Sequence, residues 1–144
     1  MLLLIIHAAA TWVMVGVILF VQIVHYPLFS RVGESGFARY EHSHVRRTSI
    51  VVMPFMLLEL TTLAMLILHR PAVSGGAWLG ASALLLAVVW LSTFVLQVPC
   101  HRRLEAGFDA KVAHRLVTTN WIRTVAWVAR GVIVAAVLAI QQAT

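Results

Sequence analysis

The sequence predicts an all-α fold: a bundle of four transmembrane helices in one domain, residues 1–144, with a short amphipathic helix before the second. Three observations predict it. Hydrophobic residues make up 61% of the chain and charged ones 11%, with mean hydropathy +0.92, whereas a soluble domain carries about 25% charged residues. The apolar residues fall in four runs, roughly 2–24, 50–68, 77–98 and 121–140, each near the ~20 residues that carry a helix across the hydrocarbon core. The basic residues gather between these runs. The spans are therefore expected at about 2–25, 48–69, 77–99 and 118–141.

The first span contains Ala8-Ala9-Ala10, which resembles a signal-peptide cleavage site. No basic segment precedes it and the apolar run continues to Val24, so it reads as an uncleaved helix. His25-Tyr26-Pro27 is expected to close it, because the residue before a proline avoids the helical region. Phe37 to Arg47 reads as an amphipathic helix running into the second span, where Pro54 lies in the first turns. His69-Arg70-Pro71 ends that span, and Ser74-Gly75-Gly76 reads as a tight turn. So short a connection makes spans two and three antiparallel neighbours. Pro99 is expected to end the third span, and 103–119 reads as a polar linker with an interfacial helix from Asp109.

Charge predicts sidedness. Linkers 27–48 and 100–119 hold Arg31, Arg39, Arg46, Arg47, Arg102, Arg103, Lys111 and Arg115, against Arg70 alone on the opposite face. Basic loops stay on the cytoplasmic side, which puts these two linkers inside and both termini outside, in a bacterial cytoplasmic membrane. The net charge of +6 and pI near 11.1 thus reflect topology, with attraction to anionic headgroups as a second effect, and not nucleic-acid binding. Cys100 is the sole cysteine, so no intrachain disulfide forms, and its place at a bundle end suggests packing.

Each span carries a polar stripe at helical spacing. The first aligns His7, Thr11, Met14, Ile18, Gln22 and His25; the second Thr48, Phe55, Glu59 and Thr62; the third Trp90, Thr93, Gln97 and His101; the fourth Asn120, Arg123, Thr124, Trp127 and Arg130. Glu59 stands twelve residues beyond Arg47, and Arg130 twelve beyond Thr118. At about 1.5 Å per residue both lie roughly 18 Å from the basic face. A charge that deep faces the protein interior, finds a partner or does work. The two readings of this pair are an ion pair fixing helix register and a functional acid–base couple. Singly, Gln22, Gln97 and Asn120 read as interhelical hydrogen bonders; converging on one layer, they read as a pocket lining. Trp12, Trp78 and Trp121 suit packing or the interfacial belt, while Trp90 and Trp127 ride the stripes.

Seven histidines give further candidates. Glu41 and His44 share one helix face, and His25, His44, His101 and Glu41 form a conceivable transition-metal set. Haem could take His25 with His101, or His7 with His69. His42 and His114 read as solvated. One Glu-x-x-His copy outside the spans is a poor match to a di-iron bundle.

Several motifs together resemble the anthrone-oxygenase-like family of small four-helix membrane proteins. In the first half these are Tyr26-Pro27-Leu28-Phe29, Phe37 with Tyr40 and His44, then Pro54 and Glu59. In the second half they are Gln97-Val98-Pro99-Cys100-His101-Arg102-Arg103-Leu104 and Asn120-Trp121-Ile122-Arg123-Thr124. That family ends its third helix with Val-Pro-x-Asn-x-x-Leu and opens its fourth with Trp-x-x-x-Asn-x-x-Arg-Thr. This chain departs by carrying His101 at the asparagine, and Thr119 or the shifted Trp121 for the tryptophan. The resemblance implies oxidation of anthrone-like aromatics with no required cofactor, and Asn120, Arg123 and His101 as site residues.

The favoured expectation is a membrane oxidoreductase acting on an aromatic or quinone-like molecule that enters from the lipid bilayer. Its candidate catalytic residues are His25, His101, Asn120, Arg123, Glu59 and Arg130, and Gln22, Gln97 and Trp127 would contact a bound group. Two alternatives fit the same residues. One is a haem- or metal-binding electron carrier or cofactor chaperone; the other is a small transporter or accessory subunit with Glu59 as a proton-linked carboxylate, working as a homo-oligomer.

Overall fold

A computed structural model describes residues 1–69 and 76–142. The expected stop at Arg70-Pro71 and most of the turn at Ser74-Gly75-Gly76 lie outside the described residues. Helix α1 (Leu2–Phe20) continues through a π-helical turn (Val21–His25) into a 3-10 segment (Tyr26–Arg31). Helix α2 covers Glu34–His69 without a break. Helix α3 (Ala77–Ser92) continues through a second π-helical turn (Thr93–Gln97) into α4 (Val98–Leu104), and α5 covers Ala110–Gln142. Among the described residues these form four rods long and apolar enough to cross a membrane.

The two prolines expected to end spans one and three do not end them. Pro27 opens the 3-10 segment and Pro99 lies in the first turn of α4. A proline brings no N–H and its ring crowds the carbonyl four residues back. Here the preceding turn widens: the Tyr26 N–H reaches the Val21 carbonyl, and the Val98 N–H reaches the Thr93 carbonyl, five residues back in each case. The same device therefore occurs once in each half of the chain.

Each half also carries a positive-φ glycine before its second rod. Gly33 (φ 82°) and Gly107 (φ 146°) adopt conformations that L side chains rarely tolerate, and each leads to a long helix. Asp109 caps α5, its Oδ1 accepting from the Lys111 and Val112 N–H groups at 2.8 and 3.1 Å. The amphipathic helix expected at Phe37–Arg47 is the first part of α2, and most of the linker expected at 103–119 belongs to α5. With 36 and 33 residues, α2 and α5 outrun the ~30 Å hydrocarbon core at about 1.5 Å per residue. Their N-terminal turns carry exposed Arg39, Arg46, Arg47, Lys111 and Arg115, which with Arg31, Arg102 and Arg103 define a basic end.

Helix α1 packs against α2 and α5, and α3 packs chiefly against α5. Helices α2 and α3 are neighbours, but they meet over far less of their length. Among the described residues three apolar clusters fill the interior. One lies at the basic end around Tyr26, Phe29, Phe37 and Leu116; one at mid-bundle around Met14, Ile18, Met56 and Trp127; one at the far end around Leu4, Leu66 and Val137. Gly131 sets the α1–α5 approach, since a Cβ there would meet Val15 Cγ2 at 3.2 Å.

Candidate functional site

Two polar layers occupy the interior. In the deeper one, Arg130 Nη1 donates to Glu59 Oε1, and both residues are 0% exposed. The other carboxylate oxygen accepts from Trp127 Nε1 at 2.9 Å. One turn further along α2, Thr62 donates its proton to the Leu58 carbonyl, so its oxygen accepts from His7 Nδ1 at 2.8 Å. The expected pairing of the two deep charges is thus present. Arg130 Nε and Nη2 and His7 Nε2 are buried without a protein partner.

The shallower layer sits where the two π-helical turns occur. Such turns often mark functional positions because they re-aim side chains within a helix. The first carries Gln22, whose Nε2 donates to the Val117 carbonyl (3.2 Å) and whose Oε1 accepts from Asn120 Nδ2 (2.8 Å). Asn120 Oδ1 then accepts from Arg123 Nε at 2.9 Å. The second turn carries Thr93, whose hydroxyl accepts from Arg123 Nη1 at 3.1 Å. Arg123 also lies over the Trp127 ring, 5.6 Å from its centroid. The guanidinium is therefore held from three sides. Gln97, from the same turn, donates to Thr119 Oγ1 at 2.9 Å and keeps its Oε1 unpartnered.

Towards the basic end stands a chain of proton-exchanging groups. His101 Nδ1 lies 2.5 Å from Glu41 Oε1, and Glu41 is 0% exposed. With Glu41 as a carboxylate, Nδ1 carries the hydrogen, and the Nε2 of a neutral imidazole accepts from the Tyr26 hydroxyl at 3.1 Å. Beside it, His25 Nε2 and His44 Nδ1 are 2.8 Å apart with rings stacked at 4.5 Å. Thr48 Oγ1 adds a contact to His44 Nδ1 at 3.1 Å. Phe29 packs edge-on against both imidazoles, at 5.4 Å from each.

A cavity of about 290 Å³ opens between α2 and the α3–α4 rod. Tyr26, His44, His101, Gln97, Thr93 and Arg123 form its polar end; Val52, Met56, Trp90 and Phe94 form its apolar wall. Met53 and Phe94, on its two lips, are 40% and 59% exposed. Met53 is six residues beyond Arg47 on α2, about 9 Å further along the helix, so the lining runs from Arg102 and Glu105 at the basic end to exposed apolar side chains along the rods.

Of the residues expected to form the site, His101, Arg123, Gln97 and His44 line this cavity. Asn120 and Gln22 stand behind and orient Arg123. Glu41 stands behind His101, and His25 behind His44. Glu59, Arg130 and Trp127 form the separate deep layer and do not line the cavity. The expected metal set is drawn together, but as mutual hydrogen-bond partners; among the described residues no group of three or more His, Cys, Asp or Glu is placed to hold a metal ion. For the haem pairs, His25 Nε2 pairs with His44, His7 Nδ1 with Thr62 and His69 Nδ1 with the Met65 carbonyl, which leaves the second ring nitrogen of each outside these bonds.

Tyr26 is the principal site residue that the stripes did not select. Straight helical spacing from Gln22 points His25 inward. The π turn inserts extra chain, rotating His25 to a half-buried position and bringing Tyr26 to 3% exposure. Pro27 was the available signal, because proline is a known cause of such disturbances. Cys100 is buried in the apolar cluster at the basic end, the packing role expected of it. No protein-family model, curated protein or solved structure matches the chain.

Proposed function

We propose that the chain binds a lipid-soluble phenol, enolisable aromatic ketone or quinol in the α2–α3/α4 cavity and promotes its oxidation. The reading rests on one juxtaposition: Tyr26, His101 and Arg123 line the polar end of a cavity that also has exposed apolar side chains, Met53 and Phe94, in its lining. Such a lining admits a flat apolar molecule while its oxygen is held among hydrogen-bond donors.

The chemistry follows from the partners. A substrate hydroxyl donates to the Tyr26 oxygen as the Tyr26 proton moves to His101 Nε2, and Glu41 stabilises the imidazolium that forms. The substrate oxyanion is left beside Arg123, a cation already oriented by Asn120 and Thr93, so little reorganisation is needed when the charge develops. The electron-rich anion then passes electrons to dioxygen dissolved in the bilayer. For an anthrone-like methylene ketone the balance is one O₂ consumed, the CH₂ carbon becoming C=O, and one water released. The likeness of Asn120, Arg123 and the Val98-Pro99 segment to the anthrone-oxygenase-like pattern supports this substrate class.

By the positive-inside rule we place the basic end, and so the polar end of the cavity, on the cytoplasmic side of a bacterial membrane with both termini outside. The test is oxygen uptake by protein in lipid nanodiscs against a panel of anthrones and quinols. Uptake that requires His101 and Arg123, but survives exchange of the exposed His114, supports the reading. A panel without turnover, or turnover indifferent to His101→Ala and Arg123→Ala, overturns it.

A further inference from the structure

We infer that the natural ligand of this cavity carries a flexible apolar tail, an alkyl or isoprenoid chain, that lies in a second groove along the same seam. The inference rests on the proposed reading of the cavity and extends it from a ring to a tailed lipid.

The second groove also holds about 290 Å³ and lies further from the basic end. Its walls are Leu63, Ala64 and Ile67 on α2 and Ala83, Ala87 and Trp90 on α3. Trp90 lines both spaces, and Met56 of the cavity stands one helical turn from Leu60 of the groove, so the two are neighbours along the α2–α3 seam. The two differ sharply in chemistry. Every donor and acceptor used to hold an oxygen lies on the basic side of Trp90, and beyond it the walls are aliphatic. Three alanines provide the depth, where a run of leucines would close the seam. From Leu60 to Ile67 the groove follows seven residues of α2, about 10 Å of helix, which suits an extended tail and is long for a second ring.

A tail already dissolved in lipid gains no hydrophobic free energy on entering, so any preference comes from packing against a fixed wall. We therefore expect a modest effect, about fivefold in affinity, the size of several dispersion contacts. Both ligands are compared at equal mole fraction in the bilayer, to remove partitioning.

The probe is a benzoquinone bearing a decyl tail with a terminal diazirine, with tailless benzoquinone and a diazirine fatty acid as controls, all on the full chain in nanodiscs. Labels are expected in 60–67 and 83–87, and are expected to disappear under excess decylbenzoquinone. Decylbenzoquinone is expected to bind more tightly than the tailless form. Ala87→Phe, or Ala64→Phe from the opposite wall, is expected to erase that difference while leaving tailless binding unchanged.

Labelling that matches the fatty acid, spread over outward faces such as Phe20, Val125 and Val132, overturns the inference. So does equal binding of the two quinones. If tailless benzoquinone binds while the labels scatter, only the tail site is lost. If neither quinone binds while the anthrone and quinol panel turns over, the tail site is overturned alone; if the panel also gives no oxygen uptake, the proposed function falls and the tail site with it.

Discussion

Removing Glu59 strands a buried cation, and the size of the loss follows from its partners. Glu59→Leu takes the acceptor from Arg130 Nη1 and from Trp127 Nε1 together. Arg130 is 0% exposed and already has two nitrogens without a protein partner, so no local acceptor compensates. Breaking a buried pair from one side costs about 3–5 kcal/mol. Arg130→Leu leaves the carboxylate with Trp127 alone and falls in the same range. The double variant Glu59→Leu/Arg130→Leu removes both charges, so its loss is expected to be about 1–2 kcal/mol, mainly the orphaned indole N–H. The coupling is therefore expected to be several kcal/mol, measurable by reversible unfolding in mixed micelles followed by tryptophan fluorescence. Additive losses in the double variant, or single variants within 1 kcal/mol of wild type, would refute a dry, mutually dependent pair.

Four further outcomes are expected. Asn120→Ala frees Arg123 Nε from its acceptor, so ligand affinity is expected to fall about tenfold in a nanodisc binding assay, with the thermal midpoint changed much less. Gly131→Leu drives a side chain into Val15 and Trp12; unfolding measurements are expected to report a loss of about 1–3 kcal/mol from overpacking. Asp109→Ala removes the α5 cap and is expected to cost about 1 kcal/mol, seen as faster hydrogen exchange at residues 111–114. Cysteines introduced by Ser35→Cys in a Cys100→Ala background are expected to react with an impermeant maleimide only from the cytoplasmic side; labelling from outside reverses the topology.

Much of this architecture was legible because membrane helices obey few rules. Length and hydropathy mark four spans, and helical spacing aligns Glu59 with Thr62 and Asn120 with Arg123, Trp127 and Arg130, all of which are buried. Equal depth pairs Glu59 with Arg130 because no other charge lies near enough to compete. Three features escaped this reasoning. Ideal spacing does not anticipate a π turn, so it selects His25 where the structure buries Tyr26. Proline reads as a stop by soluble-protein rules, but a helix in a bilayer has every incentive to re-satisfy its backbone rather than unwind, and the rods continue past Pro27 and Pro99. The cavity itself depends on the opening between α2 and α3, which is a property of packing between rods and leaves no trace in the spacing of either. Depth separates Glu59 and Arg130 from the shallower Arg123, but it does not tell which of the two layers borders a cavity; the deep pair is absent from its lining.

The most direct test is binding of tailless benzoquinone to the nanodisc-embedded chain, read by quenching of tryptophan fluorescence, in wild type and in a variant whose cavity is filled by Met56→Trp. Trp90 borders the cavity, so saturable quenching is expected in wild type, weakened by Arg123→Ala and abolished by the filled cavity. Quenching that rises linearly without saturation, or that is unchanged when Met56→Trp blocks the space, would mean that the opening between α2 and α3 holds no specific ligand.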